Sequence, residues 1–144
     1  MLRENIYDEI IEYLYIGSAS ELNMSTKFEL IVNCTANILT KKIENTIIIP
    51  IDDDPYESKL FLQLLDETNV LEKIHNSINN KEPVLVHCYE GQQRSCALIV
   101  CYLIKYKNMT PDTAINYIKQ KRRVAFIGGI TFISVIVHYF YYKL

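Results

Sequence analysis

Metal-ligating residues and glycines are scarce in this chain. Its 144 residues include only four glycines, four cysteines and three histidines. None of the cysteines has the Cys-x-x-Cys spacing of a zinc ribbon or a redox pair. His75, His87 and His138 are scattered, so neither a metal nor another cofactor is expected. The net charge is only −2, with 22% charged residues, so the surface as a whole offers no electrostatic case for nucleic-acid binding. Arg3, Glu4, Asp8 and Glu9 interrupt any apolar run at the start, and no secretory signal pattern is seen. These absences point to a reducing, intracellular setting, cytoplasmic or nuclear, with Cys34, Cys96 and Cys101 as buried thiols. No repeat, low-complexity tract or linker divides the chain. Its length suits a single domain over residues 1–144.

Long uncharged runs are also scarce, with one exception. Val124 to Tyr142 is 19 residues without Asp, Glu, Lys or Arg, after the basic run Lys119 to Arg123 and before Lys143. By length it just qualifies as a membrane span. Gly128-Gly129 interrupts it, however, and the helix that remains is too short for a hydrocarbon core of ~30 Å. A buried final helix is the favoured reading over a membrane anchor. The aromatic group Tyr139 to Tyr142 also leaves a homodimer or other association surface open. The triplet Lys121-Arg122-Arg123 reads as a solvated helix end that could also steer phosphorylated partners.

What is present is an apolar content of 49%, enough for a packed core. Short strands are expected near 13–16, 30–34, 46–51 and 84–88. The last is apolar on consecutive positions, as in a central strand. Helices are expected near 57–79, 94–107 and 110–121. Leu60, Leu64, Leu65, Val70, Leu71, Ile74 and Ile78 form the stripe of the first. The second is apolar over much of its surface, which predicts burial. Thr110-Pro111-Asp112 offers a capping hydroxyl and a first-turn proline to the third. This order of elements implies an α/β layer fold, with its ligand site at the carboxyl edge of the sheet.

Residues 87–95, His-Cys-Tyr-Glu-Gly-Gln-Gln-Arg-Ser, follow Val84-Leu85-Val86 directly. A strand ending at Cys88 and a helix starting at Arg94 leave a tight turn through Tyr89, Glu90, Gly91, Gln92 and Gln93. In such a turn several backbone amides can face one centre, where the helix N-terminus adds partial positive charge. Gly91 suits the curl. A phosphate fits the cradle, with the Cys88 thiolate as nucleophile at its floor. Arg94 offers a planar fork to two phosphoryl oxygens. The Ser95 hydroxyl lies near enough to assist the thiolate as it leaves. His87 is read as support for the loop, not as a base.

These residues match the Cys-x5-Arg signature of the protein tyrosine phosphatase superfamily, in the short form of the dual-specificity phosphatases. Within that family the loop is similar to that of cyclin-dependent-kinase-associated phosphatases. Leu14 to Ser18, Ile31 to Thr35, Ile49 to Asp53 and Thr110 to Ala114 resemble further family segments, in the family's order. The resemblance implies a single domain with a central, mostly parallel sheet of about five strands flanked by helices. It implies hydrolysis of phosphotyrosine and phosphoserine or phosphothreonine in a phosphorylated protein, through a phosphocysteine. Two features depart from the family pattern. Glu90 stands where a small neutral residue is usual, and Gly128-Gly129 replaces a Pro-Asn turn.

Cleavage also requires a proton donor to the leaving oxygen. The residues themselves offer Asp52, Asp53 and Asp54, which would otherwise be a solvated loop. The family register selects Asp53, with Asp54 second. Two other functions stay open, an RNA 5′-triphosphatase of the same superfamily and a phosphopeptide-binding pseudophosphatase. Glu90, Gln92 and Gln93 stand in the loop where lipid phosphatases tend to carry lysines, which argues against a lipid substrate.

Overall fold

The computed structural model describes residues 7–19, 27–36 and 45–142. Arg3, Glu4 and Lys143, invoked above as breaks in apolar runs, lie outside them. The described residues form one α/β domain around a five-stranded sheet of order β1-β2-β5-β3-β4. The strands are β1 (Tyr7–Ile11), β2 (Leu14–Gly17), β3 (Leu30–Asn33), β4 (Thr46–Ile48) and β5 (Val84–His87). Only the β1–β2 pair is antiparallel; the rest are parallel. The expectation of a mostly parallel sheet holds.

β5 lies at the centre, and all four of its residues are buried. Alternation sends Val84 and Val86 to the larger core, with Leu14, Ile16 and Val32. Leu85 faces the other way, into a smaller cluster with Phe28 and Ile31. There Tyr7, Tyr15 and Phe28 meet edge to face, with ring centroids 5.5–5.6 Å apart. β1 was not expected from the sequence. It is an edge strand with one buried residue, Ile10, so its pattern carries little apolar signal.

Five helices pack on the larger core: α1 (Ser58–Thr68), α2 (Val70–Asn79), α3 (Arg94–Lys107), α4 (Pro111–Lys121) and α5 (Ile133–Tyr142). The single helix expected over 57–79 is two helices. Asn69 adopts the left-handed conformation, φ 52°, and closes α1 as α2 begins. The strand expected over 46–51 stops at Ile48, two residues before Pro50, which has no N–H for the ladder. α3 matches its expected bounds, and every residue from Ser95 to Ile104 is buried. α4 begins as expected, with the Thr110 hydroxyl accepting from the Thr113 amide at 3.3 Å and Pro111 in the first turn.

α5 buries Val135 and Ile136. Phe132, just before it, meets Phe61 of α1 edge to face at 5.0 Å. Among the described residues no helix is long and apolar enough to cross a membrane. The final apolar stretch is a run of turns followed by α5, which packs one face into the core and leaves Ile133, Val137, Tyr141 and Tyr142 exposed, so the expected buried helix is buried on one side only.

Candidate active site

β5 ends at His87, and α3 starts at Arg94. The six residues between them curl around a cleft of about 320 Å³ lined by Asp53, Cys88, Tyr89, Glu90, Gln92, Gln93 and Arg94. Of the sequence-predicted loop residues all but Gly91 line it, together with Asp53. Ser95 sits beneath, fully buried, with its Oγ 3.2 Å from the Cys88 sulfur.

The carbonyls of the loop are all engaged away from that cleft. The Ala19 amide donates to Tyr89 O at 2.8 Å, and the Phe126 amide to Gln92 O at 2.8 Å. Arg122 donates to Glu90 O from Nη2 at 3.2 Å and to Gly91 O from Nε at 2.8 Å. The Cys96 thiol also reaches Gly91 O, at 3.4 Å. Gln93 O takes the first bond of α3, from the Ala97 amide at 2.8 Å. In a planar trans peptide the N–H points opposite to the C=O. Fixing these carbonyls outward turns the amides of residues 90–94 toward the centre. The geometry is that of an anion cradle at a helix N-terminus.

Gly91 is the residue that lets the curl close. Its φ is 69°, and a Cβ there would come 2.6 Å from both the Gly17 carbonyl oxygen and Arg122 Nη2. No side chain fits without displacing backbone.

Arg122 is the residue that the sequence concealed. The basic triplet reads as a solvated helix end, yet Arg122 is only 2% exposed and pairs with Asp8 of β1, Nη1 to Oδ2, at 2.8 Å. The reading is corrected for this residue alone, since Lys121 and Arg123 are exposed. No local pattern marks the middle of three basic residues as buried. The one available signal was an unexplained acid, Asp8, far away in sequence.

Arg94 is half-buried and lines the cleft. Its Nη1 donates to Ile51 O at 3.0 Å, which ties the guanidinium to the chain just before the three aspartates. Its Nε is buried with no partner among the described residues. Asp54 is occupied as a cap, its Oδ1 accepting from the Tyr56 amide at 2.9 Å ahead of the short turn Pro55–Glu57. Asp52 and Asp53 are exposed, and of the three acids only Asp53 lines the cleft.

The Gln93 side chain points into the following loop, not toward a ligand. Its amide nitrogen donates to Ile127 O at 3.1 Å and Gly129 O at 2.8 Å, and its Oε1 accepts from the Thr131 amide at 3.1 Å. The unusual Gly128-Gly129 turn is thus fastened to the loop between β5 and α3. Glu90 is exposed at the mouth of the cleft. His87 is fully buried, with Nδ1 3.4 Å from Cys88 O. Burial holds its imidazole below the ordinary range. A neutral ring beside the loop suits support, not proton transfer.

The four cysteines are all free. Burial pushes the thiols of Cys34, Cys96 and Cys101 up, so they persist as packed, protonated groups. Cys88 is the one whose sulfur stands at the floor of a cleft.

The catalytic domain of dual specificity phosphatases matches residues 13–141. A curated relative named "Putative tyrosine phosphatase 123R", from Invertebrate iridescent virus 6, is 33% identical over 120 residues, covering 82% of this chain and 81% of the relative. The mouse dual specificity protein phosphatase 14 is 29% identical over 127 residues, which span 81% of this chain and 60% of that protein. The crystal structure of human DUSP28 superposes with a TM-score of 0.80 at 22% identity, covering 95% of this chain and 94% of that one, which is a likeness of fold. The narrower resemblance of the loop to cyclin-dependent-kinase-associated phosphatases is not confirmed by these matches. The chain belongs to the dual-specificity phosphatase family and is a cysteine-dependent phosphatase.

Proposed function

We propose that residues 1–144 act as one catalytic domain that hydrolyses phosphotyrosine and phosphoserine or phosphothreonine in proteins through a phosphocysteine. The Cys88 thiolate attacks phosphorus, and the bond to the leaving oxygen breaks with its electron pair on that oxygen. Asp53 protonates that oxygen. Arg94 and the amides of residues 90–94 hold the phosphoryl oxygens as charge spreads over them. Water then attacks the phosphocysteine and returns a proton to Asp53. Phosphate and thiolate are released, and the Ser95 hydroxyl, 3.2 Å from the sulfur, steadies the departing thiolate.

One observation carries the reading, namely a cysteine sulfur at the floor of a cleft whose loop carbonyls are all bonded outward. Asp53 is preferred to Asp54 because the Asp54 carboxylate is committed to capping. The four free cysteines support a reducing compartment, cytoplasm or nucleus.

The test is hydrolysis of an aryl phosphate by wild type and by Cys88→Ser, with trapping of the phosphoenzyme. Wild type should turn over, and Cys88→Ser should bind without turnover. Asp53→Ala should lower kcat by about 10²–10⁴-fold for poor leaving groups and less for good ones. Phosphopeptide binding by wild type without turnover would establish a pseudophosphatase instead. Preference for triphosphate-ended RNA would move the substrate class.

A further inference from the structure

We infer that the cleft selects a phosphorylated residue flanked by basic residues, and discriminates against a second phosphate beside the first. The inference rests on the proposed phosphatase reading and adds the chemistry of the substrate around the phosphate.

The floor of the cleft is built for one dianion. Arg94 presents a buried Nε without a partner among the described residues, next to the inward amides of the loop. Outside that floor the sign of charge reverses. Among the described residues lining the cleft, Arg94 is the one cation, whereas Asp53 and Glu90 are carboxylates and both are exposed. Asp52 and Asp54 flank Asp53 and are exposed as well. Arg122, the other guanidinium at the loop, is sealed beneath it and paired with Asp8, so it offers no charge to the mouth. Lys59 and Arg123 are exposed, but neither lines the cleft.

One aromatic ring adds to the same preference. Tyr89 follows the nucleophile, lines the cleft and is 62% exposed. Exposed tyrosine faces attract lysine and arginine side chains and give no attraction to anions. The first phosphate satisfies the arginine and the amides. The next charge on a bound substrate then meets carboxylates and a ring face, so a cation is drawn in and an anion repelled.

The experiment uses four phosphotyrosine peptides that differ only around the phosphotyrosine. Three carry Lys, Ala or Glu on both sides, and the fourth has alanine flanks plus a nearby phosphothreonine. At low salt kcat/KM should fall from the Lys to the Ala to the Glu peptide, by about tenfold overall, and the spread should narrow as salt is raised. The doubly phosphorylated peptide should be slower than the Ala peptide. Asp52→Lys should compress the ranking of the four peptides. The same four peptides are titrated onto the Cys88→Ser protein. If wild type fails on the aryl phosphate, the proposed function falls, yet the ranking of affinities still decides this inference. A flat ranking, or preference for the Glu or doubly phosphorylated peptide, overturns it.

Discussion

The two walls of the cleft are built in opposite ways. The loop of residues 88–93 is pinned from outside by the Ala19 and Phe126 amides, by Arg122 and by the bonds of the Gln93 side chain. The acidic wall, residues 52–54, is exposed. It is held by Ile51 O on Arg94, by the Asp54 cap and by a 3.4 Å bond from the Asp52 amide to Glu57. The difference follows the chemistry each wall is proposed to perform. An oxyanion cradle works by being in place before charge develops, so reorganisation has to be suppressed. A proton donor must meet leaving oxygens of different substrates, and fewer restraints suit it.

The strongest way to break this contrast is to cut the strut under the loop. Arg122→Met removes the ion pair to Asp8 and the guanidinium bonds to the Glu90 and Gly91 carbonyls. The loss should be about 3–5 kcal/mol in denaturant melts, as for other broken buried pairs. Affinity for an oxyanion such as vanadate should fall with it. Arg122→Lys sharpens the point, since a lysine can keep the ion pair but cannot reproduce the fork on two carbonyls. It should recover part of the stability and little of the oxyanion affinity.

Gly91→Ala tests the same wall from inside. The positive φ and the 2.6 Å approach to the Gly17 carbonyl should cost about 1–3 kcal/mol and disturb oxyanion binding. On the looser wall, Asp54→Ala removes only a cap. It should cost about 0.5–2 kcal/mol by thermal melting and leave vanadate affinity intact. Equal damage from both substitutions would erase the contrast between the walls.

The smallest effect concerns pH. Burial lowers the His87 imidazole below its ordinary value of 6.5, so the unfolded chain takes up that proton first as pH falls. Stability therefore declines as pH drops through that value, and it is fully present above it. In His87→Gln this part of the stability–pH profile should flatten. An unchanged profile would mean that the buried ring does not contribute to it.

How much of this was readable from the chain depended on sequence distance. The cradle could be read because its cysteine, glycine, arginine and hydroxyl are neighbours between Cys88 and Ser95, and because an apolar strand and helix flank them. β5, α3 and the start of α4 were legible for the same local reasons. The break at Asn69 was missed because the apolar stripe runs from Leu65 to Val70 with little visible shift of phase. β1 was missed because Tyr7, Asp8 and Glu9 look like surface, and only Ile10 is buried. Arg122 was misread because its burial is set by an acid 114 residues away. Local pattern reports periodicity and turns, but not which charged residue finds a distant partner.

That same separation has a consequence for biosynthesis. Asp8 belongs to the first described strand and Arg122 follows the fourth helix, so the guanidinium clasp joins the earlier-made and later-made parts of the domain. A nascent chain that has emerged only as far as α3 already contains Cys88 and Arg94, but lacks the strut that orients the amides around them. Catalytic competence should therefore appear late in synthesis, after nearly all of the domain has left the ribosome, and fragments truncated before residue 122 should lack a formed cradle.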